Sequence, residues 1–215
     1  MKGVIFDMDG VIIDSEPIHK QLERELLEES GGDYSQIDHA AFMGTTDAQM
    51  WGALKEQFNF ERSVEELIRL KQERFIAKLD QIPLVDNVLE FMTALRSIGC
   101  KLGLASSNNE RSVEAIKNKF GLAEYIDVFV HGEAVTKGKP HPDIFLTAAK
   151  QMGLAPGDCL VIEDSRNGVL AAKAAGMKCV GFQNKNSKGQ DLSEADLIVG
   201  SYQELTLESL KSLFA

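Results

Sequence analysis

Short runs of branched and apolar residues alternate along most of this chain with amphipathic segments that close on a glycine. That rhythm leaves few folds open. The runs are Val4–Phe6, Lys101–Ala105, Ile126–Val130, Cys159–Ile162, Cys179–Phe182 and Asp196–Val199. Each is too short for a helix and reads as a strand buried on both faces. Between them, Val88, Phe91, Met92 and Leu95 share a helical face before Gly99. Val113, Ile116 and Phe120 do so before Gly121, and Ile144, Phe145, Ala148 and Met152 before Gly153. Ala171 through Ala175 precede Gly176. Glycine after the last periodic residue is a helix stop. Strand and helix in alternation imply right-handed βαβ units, hence an α/β, Rossmann-like parallel sheet.

The stretch 15–81 breaks the rhythm and reads as an inserted all-helical cap domain. Ile18, Leu22 and Leu26 form one stripe, closed by Ser30-Gly31-Gly32. Met50, Trp51, Leu54 and Phe58 form another, with Asp47 as the expected N-cap. Ser63-Val64-Glu65-Glu66 has the form of a capping box before Leu67, Ile68, Lys71, Phe75 and Leu79. The catalytic core is then 1–14 plus 82–215, with hinges expected near Asp14 and Pro83.

Function classes narrow by charge and by what is missing. The formal net charge of −10 disfavours a nucleic-acid backbone or an anionic membrane as partner. No apolar run reaches the roughly 18 residues of a membrane span. The start, Met1 to Asp7, meets an acid too early for a secretion signal. Cys100, Cys159 and Cys179 are odd in number and widely spaced, as buried, reduced thiols of a cytoplasmic protein would be. A monomer is expected.

Chemistry concentrates where the expected strands end, the edge at which open parallel sheets bind ligands. The first strand runs into Asp7-Met8-Asp9-Gly10 and the second into Ser106-Ser107-Asn108. Lys139 follows the third, and Glu163-Asp164-Ser165 end the fourth. Singly, each has an ordinary role: an Asp after a strand caps a helix, Ser106 makes a turn, Lys139 is a solvated charge. Together they deliver carboxylates, a hydroxyl and an ammonium to one rim. Asp-x-Asp with a distant Glu-Asp is a hard oxygen cluster of the kind Mg2+ prefers.

Asp7-Met8-Asp9-Gly10-Val11, then Ser106, then Lys139-Pro140, then Glu163-Asp164-Ser165 resemble the four signature motifs of the haloacid dehalogenase-like superfamily. Val11-Ile12-Ile13-Asp14-Ser15-Glu16-Pro17, Lys139-Pro140-His141-Pro142-Asp143-Ile144-Phe145 and Asn167-Gly168-Val169 extend the resemblance over essentially the whole chain. It places the chain near the β-phosphoglucomutase-like and sugar-phosphate phosphatase branch, and it implies a four-helix cap. It also implies roles. Asp7 is the nucleophile that forms an aspartyl-phosphate. Asp9 is the acid for the leaving oxygen and then the base for water. Ser106 and Lys139 hold the phosphoryl oxygens. Mg2+ sits on Asp7, the Asp9 carbonyl and Asp164, with Glu163 water-bridged or trading places with Asp164. Asp9 favours phosphate esters, since halide leaves without a proton. Substrate contacts are expected from His19, from Gly44-Thr45-Thr46-Asp47 in the cap, and from Ser107 and Asn108. The expected reaction is hydrolysis of a small phosphorylated metabolite, a sugar or polyol phosphate. The alternatives are a β-phosphoglucomutase-type reaction and a non-catalytic phospholigand-binding regulator.

Overall fold

The computed structural model describes every residue except 38–41, 43–45, 187, 188 and 215. The chain divides into two compact units, one of Met1–Asp14 with Pro83–Ala215, the other of Ser15–Ile82.

The first unit is built on a six-stranded parallel sheet. Its strands are β1 (Gly3–Phe6), β2 (Lys101–Ala105), β3 (Val128–Val130), β4 (Cys159–Glu163), β5 (Lys178–Phe182) and β6 (Leu197–Val199), ordered β3-β2-β1-β4-β5-β6. Phe6 sits in register with Leu104 on one side and Ile162 on the other. The strand order reverses at β1, which makes the β1/β4 boundary the switch point where such sheets bind ligands. The central strands β1 and β4 are buried throughout, so every position is apolar until the last residue of β4. The edge strands correct the expectation of burial on both faces. Val128 and Phe129 in β3 are only half-buried, and Ile198 in β6 is exposed. β3 is also shorter than expected, because the Ile126 N–H bonds the Leu122 carbonyl in a turn.

Five helices of this unit, α4 (Val88–Ser97), α5 (Glu110–Lys119), α6 (Asp143–Met152), α7 (Arg166–Ala174) and α8 (Leu207–Ser212), follow the helical unit in sequence. Ile144, Phe145, Ala148 and Met152 of α6 and Val169, Ala171 and Ala172 of α7 pack with Ile5 and Val161 in one core cluster. Cys100, Cys159 and Cys179 are buried free thiols. Burial pushes the Cys159 thiol up to about 11.

The second unit holds α1 (Glu16–Glu29), α2 (Asp47–Phe58) and α3 (Val64–Ala77). Leu26, Leu27, Met50, Trp51, Leu54, Phe60 and Leu67 form its core, as the helical stripes require. Where the resemblance implies four helices, the described residues give three α-helices and short 3₁₀ turns such as Tyr34–Gln36. Asp47 is not the cap of α2. Thr46 is, in a reciprocal box with Gln49, because the Asp47 carboxylate is drawn to Lys71 instead. Ser63 caps α3 by accepting from the Glu66 N–H at 3.1 Å. Among the described residues, no helix is long and apolar enough to cross a membrane.

Candidate active site

Asp7 directly follows β1, and its N–H still donates to the Ile162 carbonyl at 2.9 Å, so the strand ladder fixes its backbone. The chain then turns sharply. Ile12 and Ile13 N–H both donate to the Met8 carbonyl, and Gly10 donates to Ile13 at 2.8 Å. Gly10 has φ of 72°, a conformation any β-carbon would strain. The turn gives Asp7 and Asp9 different surroundings although they stand two residues apart.

Lys139 reaches this strand end with 6% of its side chain exposed. Its ammonium donates to Asp7 Oδ1 at 2.5 Å and Glu163 Oε1 at 2.6 Å, and it lies 4.9 Å from the Phe145 ring centroid. Phe145 was expected only as core. Here it forms an apolar wall against a buried cation. The ammonium is held above the usual lysine range: burial opposes the charge, and the two carboxylates outweigh it. For Asp7 the balance runs the other way. Burial, with the negative Glu163 and Asp9 nearby, lifts its carboxyl to about 7 despite Lys139.

Glu163 ends β4 and is almost wholly buried. Its second oxygen, Oε2, accepts from Ser165 N at 2.8 Å and Ser165 Oγ at 2.9 Å, and that hydroxyl caps α7 through Gly168 N at 3.0 Å. Gly168 makes the arrangement possible. A β-carbon there would stand 1.7 Å from Glu163 Oε1. The glycine of Asn167-Gly168-Val169 thus clears space for a carboxylate. Both Glu163 oxygens are engaged by protein donors, which leaves Glu163 bracing Lys139 rather than reaching outward.

On the β2 side, Ser106 N–H donates to the Val130 carbonyl at 3.0 Å. Its Oγ accepts from Asn108 N at 3.1 Å, so the hydroxyl proton stays available. The Asn108 side-chain amide donates to Asp9 Oδ2. Ser107 is exposed. Asp7, Asp9, Ser106, Asn108, Lys139, Glu163 and Asp164 therefore all belong to one unit and one edge of its sheet. His19, Thr46 and Asp47 belong to the helical unit. There His19 stacks on Phe75 at 4.7 Å and Asp47 pairs with Lys71. Gly44 and Thr45 lie outside the described residues.

Sequence reasoning missed a supporting layer. Asn184 Nδ2 donates to the Gly10 carbonyl at 2.9 Å, Asn186 Nδ2 to both oxygens of Asp14, and Tyr202 OH to the Val11 carbonyl at 2.9 Å. These side chains hold the turn after β1 from below. Burial, then the negative Asp7 and Asp164, push the Tyr202 phenol well above its usual range. The only local signal was a pair of asparagines just past a strand.

The donors suit a hard divalent cation. Four carboxylates (Asp7, Asp9, Glu163 and Asp164) share the edge with the buried ammonium of Lys139, so negative groups there outnumber it. Among the described residues, no three His, Cys, Asp or Glu side chains form a ready-made cage. Mg2+ needs none, since it takes one or two carboxylates and completes its shell with water and phosphate.

Comparison with known proteins agrees with this geometry. The family model for haloacid dehalogenase-like hydrolases matches residues 1–176. A phosphorylated carbohydrates phosphatase from Thermotoga maritima is 34% identical over 218 residues, covering 99% of this chain and 100% of the relative. A beta-phosphoglucomutase from Bacillus subtilis is 33% identical over 220 residues, covering 98% and 94%. The crystal structure of a HAD hydrolase, family IA, variant 3, from Entamoeba histolytica superposes with a TM-score of 0.88 at 25% identity, covering 100% of this chain and 99% of that one. A parallel sheet that gathers Asp7, Ser106, Lys139 and Glu163 at its switch point, matched along this length, places the chain in the haloacid dehalogenase-like hydrolase family.

Proposed function

We propose that the chain is a Mg2+-dependent phosphatase that hydrolyses a small phosphorylated metabolite, a sugar or polyol phosphate, through an aspartyl-phosphate on Asp7. The observation that carries this reading is the pair of carboxylates on one turn with unlike partners: Asp7 on Lys139, Asp9 on Asn108. Sugar-phosphate relatives such as the Thermotoga maritima phosphatase support the substrate class.

Lys139 holds Asp7 Oδ1, which orients the carboxylate for attack on phosphorus by an oxygen lone pair. The bond from phosphorus to the ester oxygen breaks, and Asp9 gives that oxygen its proton. Asp9, now a carboxylate, takes a proton from water as the water oxygen attacks the phosphoryl group. Inorganic phosphate leaves and Asp7 is regenerated. The Ser106 hydroxyl and Lys139 ammonium donate to the phosphoryl oxygens as charge builds on them. Asp7, the Asp9 backbone carbonyl and Asp164 would hold Mg2+. When bound, the ion offsets charge between an anionic nucleophile and an anionic substrate. Substrate choice falls to Ser107 and, in the helical unit, to His19, Thr46 and Asp47, with Gly44 and Thr45 beside them in sequence.

The net charge of −10 disfavours a nucleic acid or membrane partner, while a small anionic ligand can still be held where local cations override that field. The reduced thiols support a cytoplasmic setting, and we take the working unit to be a monomer. The test is release of phosphate from p-nitrophenyl phosphate with and without Mg2+, followed by a panel of about a hundred phosphorylated metabolites, since specificity is read as relative kcat/KM. Activity should require Mg2+, and Asp7→Asn should retain under about 1% of it. Tight binding of a phospholigand without turnover would favour the regulator instead.

A further inference from the structure

We propose that Asn108 is the positioning residue for Asp9, its side-chain amide fixing the direction in which the Asp9 carboxyl group is presented. This rests on the phosphoryl-transfer reading above. It departs from the sequence expectation that Asn108 contacts substrate.

The two residues are 99 positions apart and meet through one side-chain hydrogen bond, from Asn108 Nδ2 to Asp9 Oδ2. Both ends are anchored. Asp9 lies in the turn closed by Met8, Gly10 and Ile13, and forms a bridge with Ile13. The Asn108 N–H donates to Ser106 Oγ at 3.1 Å, and its carbonyl accepts from Gly132 N at 2.7 Å. Next in the chain, Asn109 Oδ1 caps α5 through Ser112 N at 2.9 Å, and Glu110 N donates to Glu133 Oε2 at 2.9 Å. The backbone that carries the amide is thus tied down, so the side chain starts from a fixed Cα beside Asp9.

A carboxylate accepts only, so the NH2 end of the amide must face it. The bond occupies Oδ2. A bond to one oxygen fixes the rotation of the carboxyl group, and with it the direction in which the group meets the reacting oxygen. In the reaction above Asp9 gives a proton and then takes one back, and both transfers need the same oxygen presented in the same direction. An amide carried on an anchored backbone and bonded to Asp9 supplies that constraint without touching substrate. A misplacement of about 1 Å in a reacting group costs on the order of a hundredfold, so a single donor here has a measurable effect.

The test compares kcat/KM for p-nitrophenyl phosphate, whose leaving group needs no proton, with kcat/KM for an alkyl phosphate, which does. Asn108→Ala should lose at least about tenfold more on the alkyl ester than on the aryl ester. Asn108→Asp keeps the shape but sets oxygen against oxygen, and should lose more than Asn108→Ala on the alkyl ester. In an Asp9→Asn background, Asn108→Ala should cause no further loss that depends on leaving group. Equal losses on both esters, or a raised KM with kcat unchanged, would overturn the proposal in favour of a structural or substrate contact. A second readout needs no turnover. The Asn108 side-chain amide signals in 15N NMR, identified by their loss in Asn108→Ala, should shift in Asp9→Asn. Unmoved signals refute the pairing. A wild-type chain inactive on both esters refutes the phosphatase reading alone, because the amide shift still reports the contact.

Discussion

The ammonium of Lys71 lies 2.6 Å from Asp47 Oδ1 and 2.7 Å from Glu23 Oε1, within the helical unit. The lysine is almost fully buried, while both acids keep some contact with solvent. Burial works against the charged lysine, but Asp47 and Glu23 outweigh it and hold its pKa above the ordinary range. Its contribution to stability is therefore whole at neutral pH. It fades only as pH rises past about 10.4, where the unfolded lysine begins to lose its proton. Lys71→Met should destabilise the helical unit by about 1–3 kcal/mol, below the usual cost of breaking a fully buried pair because the acids can rehydrate. Urea unfolding followed by the single tryptophan, Trp51, buried in that unit, checks this.

The same pairing bears on mutase chemistry. A mutase must grip a second phosphate. The resemblance to β-phosphoglucomutases implies an arginine of the cap loop for this grip, and the residue in that place here is the acid Asp47. Lys71 and Arg74, both on α3, are cations that could compensate. Lys71 is committed to Asp47 and Glu23, and Arg74 makes two bonds to Glu29 at 2.7 and 2.6 Å. The same resemblance implies a Ser-Lys-Asn run after the motif serine, where this chain has Asn108-Asn109-Glu110 after Ser106-Ser107. With β-glucose 1-phosphate and a trace of glucose 1,6-bisphosphate, release of inorganic phosphate should outpace formation of glucose 6-phosphate. The reverse order would make the chain a mutase.

Gly168→Ala should disable the active site while leaving the sheet folded. The added methyl would meet the carboxylate of Glu163 rather than a flexible chain end. Glu163 cannot retreat, because Lys139 and Ser165 hold both its oxygens. Displacing it moves Lys139 and with it Asp7, so kcat should fall at least about tenfold. Gly157→Ala, with nothing within 4 Å of the new methyl, is the matched control and should keep its rate.

Asp196 gives a pH-dependent stability test. Its carboxylate accepts from Lys173 Nζ at 2.6 Å, the Cys179 N–H at 2.9 Å and Lys178 Nζ at 3.2 Å. Burial alone would raise its pKa, but these donors outweigh it and hold the carboxyl below its usual value. A depressed folded value stabilises above the unfolded pKa of about 3.9, and the gain is lost as pH falls below it. Asp196→Asn should cost about 1–3 kcal/mol at pH 7. Thermal melts of the two proteins should converge toward pH 3.

What could be read from the sequence follows what each residue answers to. β1 and β4 are buried on both faces, so Val4, Ile5, Leu160 and Val161 are apolar without interruption and mark themselves. The edge strands β3 and β6 are half-solvated, and their limits depend on turns such as the Ile126–Leu122 bond. Asp7, Ser106, Lys139 and Glu163 were legible because each stands just past a strand or near one. The capping of α2 was not, because Asp47 answers to Lys71, 24 positions on. Nor was the bond from Asn108 to Asp9, which depends on two loops meeting in space. Asn184, Asn186 and Tyr202 act on backbone carbonyls and one acid far away in the chain, and such contacts leave no periodic trace.

The turn after β1 has one more consequence. Ile13 bridges Leu84, and Asp14 N–H donates to the Pro83 carbonyl at 3.0 Å, so the chain leaves the catalytic unit and re-enters it at neighbouring points of one short ladder. To the sheet, everything from Ser15 to Ile82 is a single closed detour, and closure entropy grows only with the logarithm of a detour's length. The helical segment is in that sense a graft on a two-ended socket. It can be lengthened, shortened or exchanged with little energetic demand on the register of β1, so the residues at the sheet edge can stay fixed while the helical segment drifts.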